Sequence, residues 1–97
     1  MPSYVSLINW TEQGIKNFRD TSKRAAAYEE LVERHGGKVK DLYWTLGEYD
    51  LVAVTQAPDD ETFTAIALQL GSMGNVRTTT LRAFDRTEIT KIIQKTG

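Results

Sequence analysis

The stretch from Val39 to Thr55 constrains this chain more than any other. Its first half, Val39-Lys40-Asp41-Leu42-Tyr43-Trp44, is rich in branched and aromatic residues, which fit a pleated, partly covered surface. Its second half, Leu51-Val52-Ala53-Val54-Thr55, has the same character. Between them Gly47-Glu48 supplies a tight turn, because glycine takes positive φ without a Cβ clash. Two β runs joined in this way predict an antiparallel hairpin, with one strand and one helix on either side of it in sequence.

Tyr4 to Trp10 predicts the first strand, with apolar residues on both parities, so both of its faces need cover. Thr11 to Phe18 predicts a connection of about one helical turn, in which Ile15 and Phe18 pack inward together. Thr21 reads as the N-cap of a helix that runs to about His35. Ala25, Tyr28, Leu31, Val32 and His35 form its apolar stripe, and Gly36-Gly37 ends it. After the hairpin, Pro58-Asp59-Asp60-Glu61 opens a second helix with Asp59 as its cap. Phe63, Ile66, Ala67, Leu70 and Met73 are its buried stripe, and Gly74-Asn75 stops it. Val76 to Phe84 is the fourth strand, since the run Thr78-Thr79-Thr80 favours a pleated conformation. Asp85-Arg86-Thr87-Glu88 is a capping-box pattern that opens a short tail helix, with Ile89, Ile92 and Ile93 on one side.

The order β-α-β-β-α-β plus a tail helix predicts an α+β, ferredoxin-like fold with an antiparallel four-stranded sheet. Right-handed crossovers place the first and third strands at its centre and both helices on one face. The other face is too apolar for water. Tyr4, Ile8 and Trp10 oppose Val5 and Leu7; Leu42, Trp44 and Leu46 oppose Val39 and Tyr43; Val52 and Val54 oppose Leu51 and Ala53. Leaving ~4–6 such side chains wet forgoes roughly 1.5–3 kcal/mol each. The expected cover is a second copy packed sheet to sheet, making a homo-oligomer of two chains or more. The tail helix is a further device for covering a partner or an edge strand.

A chain of 97 residues predicts a single domain, 1–97. Its net charge of −1 argues against nucleic acid as a partner, because phosphate affinity comes from clustered Lys and Arg. With no cysteine, disulfides, thiolate metal sites and Cys nucleophiles are excluded. The sole histidine, His35, has no ligand spacing around it and sits where the helix dipole favours a capping role, so no metal is expected. The start Met1-Pro2-Ser3-Tyr4 has no signal-peptide pattern, and no apolar run approaches the ~20 residues of a membrane span. A cytoplasmic location, no membrane partner and no cofactor are therefore expected.

Candidate ligand-binding residues are Trp44, Asp50, Thr80 and Arg82. The planar fork of Arg82 suits a carboxylate or phosphate. Strand alternation points Thr78, Thr80 and Arg82 one way and Arg77 and Thr79 the other. If the Arg82 side faces the space between subunits, Asn9 lines it too. Asp50 has two roles open to it, accepting bonds from turn amides or accepting a proton in a pocket. Trp44 and Tyr49 are core or interface aromatics, or ligand platforms. No catalytic residue is identifiable.

The segment Thr45-Leu46-Gly47-Glu48-Tyr49-Asp50-Leu51-Val52 resembles the signature of the GYD domain family, named for a Gly, Tyr and Asp at this turn. Gly74 to Phe84 resembles its other typical segment, and Gln13-Gly14-Ile15-Lys16-Asn17 and Pro58-Asp59-Asp60-Glu61 also fit. The likeness covers nearly the whole chain; the departure is Ser22, where members often carry Pro. The resemblance implies a small bacterial or archaeal protein of the dimeric α/β-barrel class, and no particular activity. Other branches of that class include cofactor-free monooxygenases, haem-handling enzymes, isomerases and ligand-sensing domains. The expected function is binding of a small molecule or service as an interaction module. The alternative is a cofactor-independent, monooxygenase- or isomerase-like enzyme, or a haem-handling protein.

Overall fold

A computed structural model describes residues 1–97. In chain order the elements are β1 (Ser3–Trp10), α1 (Glu12–Lys16), a 3-10 turn (Phe18–Asp20), α2 (Thr21–Arg34), β2 (Lys38–Trp44), β3 (Leu51–Gln56), α3 (Asp60–Ser72), β4 (Val76–Ala83) and α4 (Arg86–Gln94). The strands form one sheet in the order β2-β3-β1-β4, with every neighbouring pair antiparallel. This is the ferredoxin-like α+β fold, with β1 and β3 central as the crossover rule requires. No helix is long and apolar enough to cross a membrane.

The core lies between the sheet and α2 and α3. Ile8, Leu51 and Ala53 of the sheet meet Tyr28, Leu31 and Val32 of α2 and Ile66 of α3. A second cluster joins Tyr4, Ala57 and Phe63, with the Tyr4 and Phe63 rings stacked 4.3 Å apart. The registers fix what faces the helices. Tyr4, Ser6 and Ile8 lie opposite Thr55, Ala53 and Leu51 on one side and Arg82, Thr80 and Thr78 on the other. Val5 and Leu7 sit with Val54, Val52, Leu81 and Thr79 on the opposite face.

In β2 the register shifts between Val39 and Asp41, leaving Lys40 as a bulge. Val39 then opposes Thr55 and Leu42 opposes Ala53, so Val39, Leu42 and Trp44 share the helix-facing side. Strict alternation grouped Val39 with Tyr43; one extra residue moves it to the other face.

Four local expectations are corrected. Met73, placed on the buried stripe of α3, is 54% exposed, because the helix ends at Ser72 and Met73 is its C-cap. The hairpin connection is a loop over Thr45–Asp50, closed by the Thr45 amide donating to the Asp50 carbonyl at 2.9 Å, rather than a two-residue turn. Gly47 in it does take φ +106°. Thr21 does not cap α2: Asp20 holds the cap position without a side-chain bond, because the helix continues directly from the 3-10 turn. Ile15 and Phe18 do not pack inward and remain 48% and 47% exposed.

The reason is how α1 is held. Its cap residue Thr11 bonds to the α3–β4 connection, the amide to Asn75 O at 3.1 Å and the hydroxyl to Gly74 O at 2.6 Å. A Cβ on Gly14 would lie 2.0 Å from the Asn75 carbonyl oxygen, so only glycine permits this crossing. Gly14→Ala is expected to lower unfolding free energy by about 1–3 kcal/mol through overpacking. Gly71→Ala, in a helical position facing open space, is expected to raise it by about 0.4–1 kcal/mol. Urea unfolding midpoints of the two variants check both signs.

Candidate functional site

The two helices do not fully roof β4. Beside α3 they leave a groove of about 410 Å³ whose floor is Tyr4, Thr78, Thr80 and Arg82 and whose wall includes Asp60 and Thr64. Asp60 sits in the first turn of α3, which Asp59 caps by accepting from the Thr62 amide at 2.8 Å. That cap holds the Asp59 carboxyl below the usual carboxylate range.

Arg82 is already engaged within the chain. Its Nη1 donates to Ala83 O at 2.5 Å and to Ser3 O at 3.4 Å, and its Nε lies 3.5 Å from Asp60 Oδ1. The guanidinium also sits 5.5 Å over the Tyr4 ring and 4.5 Å over the Phe84 ring. The Tyr4 hydroxyl donates to Asp60 Oδ1 at 2.5 Å. Burial pushes the Tyr4 phenol up to about 12, and the bond to Asp60 and its charge add to this, while Arg82 works against it. The groove therefore presents hydroxyls and one internally balanced cation–anion pair. At neutral pH the phenol keeps its proton, so Tyr4 is a hydrogen-bonding wall rather than a base.

A separate cavity of about 90 Å³ lies between the helices and the sheet, lined chiefly by Ile8, Trp10, Tyr28, Leu42, Leu70 and Val76. Its lining is almost wholly apolar, and its volume is well under the ~300 Å³ where small-molecule pockets begin. No cluster of three His, Cys, Asp or Glu side chains is placed to hold a metal ion.

The four candidate residues divide into two places. Thr80 and Arg82 line the groove. Trp44 and Asp50 lie at the other end of β1. The Trp44 indole donates to Thr21 Oγ1 at 2.9 Å, and Asp50 Oδ2 accepts from the Trp10 amide at 2.9 Å. Arg82 pairs with Tyr4, so the two places are about 20 Å apart along β1 at ~3.3 Å per residue. Arg82 faces the helices and not the open sheet face, whereas Asn9 and Arg77 are paired on the open face. Asn9 and Arg82 therefore do not share a site. His35 Nδ1 lies 2.9 Å from Leu31 O at the end of α2, and His35 lines neither space. Tyr4, Asp60 and Thr64 were not legible as groove residues. Tyr4 and Asp60 are separated by 56 positions, and only the β1–β4 register brings Arg82 to them.

The open sheet face is the other feature that no part of the chain fills. Val5, Leu7, Val52 and Val54 are only half-buried there, and Tyr43 and Leu81 are 60% and 49% exposed. Beyond β4, α4 starts with the full capping box, Glu88 N donating to Asp85 and Asp85 N donating to Glu88. It buries none of its residues, including Ile89, Ile92 and Ile93.

A family model described as the GYD domain matches residues 4–93. The chain belongs to the GYD domain family. A relative from Thermus thermophilus, named glutamine synthetase and cystathionine beta-lyase binding protein, is 34% identical over 84 residues. The match covers 86% of this GYD domain protein and 88% of the relative. A crystal structure of a protein from Thermus thermophilus superposes with TM-score 0.57 at 29% identity, over 88% of this chain and 95% of that one. A feast or famine regulatory protein from M. tuberculosis, complexed with L-methionine, superposes with TM-score 0.66 at 18% identity. That match spans 88% of this chain and 51% of the regulator, and it shows the shared fold.

Two outcomes test the site's electrostatics and anchoring. The folded Tyr4 pKa, about 12, lies above the ordinary value of 10.0. Stability from the neutral phenol is therefore complete below pH ~10 and is lost between pH ~10 and ~12. Tyr4→Phe is expected to flatten the decline in that window, read as unfolding midpoint against pH. Tyr28, raised by burial while its bond to Thr55 Oγ1 opposes the shift, keeps part of the slope. Asp50→Ala leaves the Trp10 amide unpaired and is expected to lower stability by about 1–3 kcal/mol, measured by urea unfolding.

Proposed function

We propose that this GYD domain protein is a non-catalytic protein-interaction module built on a sheet-to-sheet homodimer. The reading rests on the open sheet face, where Val5, Leu7, Val52, Val54, Tyr43 and Leu81 lie on all four strands with no cover from the chain's own helices. Four strands at ~4.8 Å spacing and ~3.3 Å per residue give a footprint near 19 × 23 Å, wide enough for a second copy's face. An apolar patch of this extent marks an interface on a protein of this size.

Two further features favour binding over catalysis. The groove's tyrosine holds its proton at neutral pH, and its arginine is tied to Asp60 and to backbone carbonyls. The apolar cavity is too small for a substrate of ordinary size. The relative's name makes glutamine synthetase and cystathionine beta-lyase the first partner enzymes to try.

A small-molecule role is the second reading, supported by the 410 Å³ of the groove at Thr80 and Arg82. Its hydroxyl-rich lining suits a polar, hydrogen-bonding ligand, taken up beside the Arg82–Asp60 pair rather than by Arg82 alone.

The test is light scattering on the purified chain with Val54→Arg beside it. The expected result is a stable assembly at micromolar concentration, reduced in subunit number by Val54→Arg while circular dichroism is unchanged. A wild-type monomer, or a Val54→Arg protein of unchanged mass, sinks the face-to-face dimer. Surface-plasmon binding to each of the two enzymes then tests the module: micromolar or tighter affinity supports it, and silence from both refutes these partners.

A further inference from the structure

The two edges of the sheet are built differently. β2 is bulged at Lys40 and carries Lys38, Lys40 and Asp41. Bulges and edge charges of this kind discourage addition of another strand. β4 has no bulge, and its two charges, Arg77 and Arg82, lie towards its ends. It pairs with β1 without a register shift over its whole length, from Ser3↔Ala83 to Trp10↔Val76. It contains no proline and no glycine, and its centre is Thr78-Thr79-Thr80. As an edge strand it presents outward N–H and C=O groups with no ladder partner.

We infer that β4 pairs antiparallel with β4 of a second copy, across a twofold axis at Thr79 or Thr80, joining two sheets into one. Twofold pairing sets residues of one parity opposite each other. With the axis at Thr79, Thr78 meets Thr80 and Arg77 meets Leu81. With the axis at Thr80, Thr78 meets Arg82, Thr79 meets Leu81 and Arg77 meets Ala83. Arg77 and Arg82 project to opposite faces, so in neither register does arginine oppose arginine. Cross-strand threonine pairs are favourable, and like charges directly opposite are not.

The same comparison selects the occupant. Pairing of β4 with a neighbour's β2 would be heterologous and would grow into rings or open chains. The Lys40 bulge and the edge charges of β2 oppose it. Pairing of β4 with itself closes after two copies. It uses the edge of the sheet and leaves the open face free, so it is independent of the face-to-face dimer. With the two twofold axes crossing at right angles, the contacts together close at four chains of 10.9 kDa.

Thr80→Lys tests the edge. Thr80 is exposed and sits on the helix-facing side, so the lysine pair crowds the twofold axis without touching the open face. The expected light-scattering masses are four chains for wild type, two for Thr80→Lys, two for Val54→Arg and one for the double variant. Thr80→Ser retains the wild-type mass. If the face contact alone is wrong, wild type is a dimer that Thr80→Lys makes monomeric. A folded Thr80→Lys protein of unchanged mass overturns the edge pairing. Hydrogen exchange on the wild type gives a reading that needs no variant. Exchange in 76–83 is expected to slow about tenfold or more on association, well beyond any slowing in 38–44. Exchange in 76–83 that is independent of concentration across the mass transition overturns the inference.

Discussion

β1 pairs on both sides, with β3 and with β4, and those two registers set the character of the whole molecule. They place Tyr4, Ser6 and Ile8 under the helices and Val5, Leu7 and Asn9 under nothing. α2 and α3 bury one face through Leu31, Val32, Phe63 and Ile66. Two helices roof one side of four strands and no more. The apolar residues of the opposite face are therefore surplus to the fold of one chain. Each half-buried valine there gains its remaining transfer free energy only when another surface meets it.

The groove beside α3 comes from the same geometry, because the helices stop short of the outer strand. What fills its floor is chemically quiet. An arginine bound to a carboxylate, to two carbonyls and over two aromatic rings has few donors left for a ligand. The Asp60 carboxylate in turn holds the proton of Tyr4. Because Asp60 is largely exposed, the ion pair's main effect is to fix the direction of these groups rather than to stabilise the fold.

Most of the architecture was legible because periodicity, caps and turn residues agreed along the chain. Asp59 and the Asp85/Glu88 box cap helices where the pattern placed them, and Tyr28, Leu31 and Val32 are buried as their spacing required. What failed was what depends on distant parts of the chain. Lys40 as a bulge follows from pairing with β3, and nothing in its neighbours announces an inserted residue. Ile15 and Phe18 look like a buried pair, yet α1 is held by the Thr11 amide and hydroxyl donating to the Asn75 and Gly74 carbonyls, which does not draw them inward. That Trp44 and Asp50 lie apart from Thr80 and Arg82 was not legible either, because strand alternation gives the side of a residue but not its height along the sheet. Asp50 anchors the hairpin loop to Trp10, while Arg82 closes over Tyr4.

The tail extends the same logic to the end of the chain. A nine-residue helix is short of the ~12–15 residues that hold helical structure alone in water, even when well capped. Its capping box satisfies amides at one end only, and its isoleucines rest on no core. Burying Ile89, Ile92 and Ile93 on a surface outside the chain's own core would add free energy that capping and propensity do not supply. Any partner that covers them orders the tail as it binds. If association supplies such a surface, the helix content of the last residues rises with assembly.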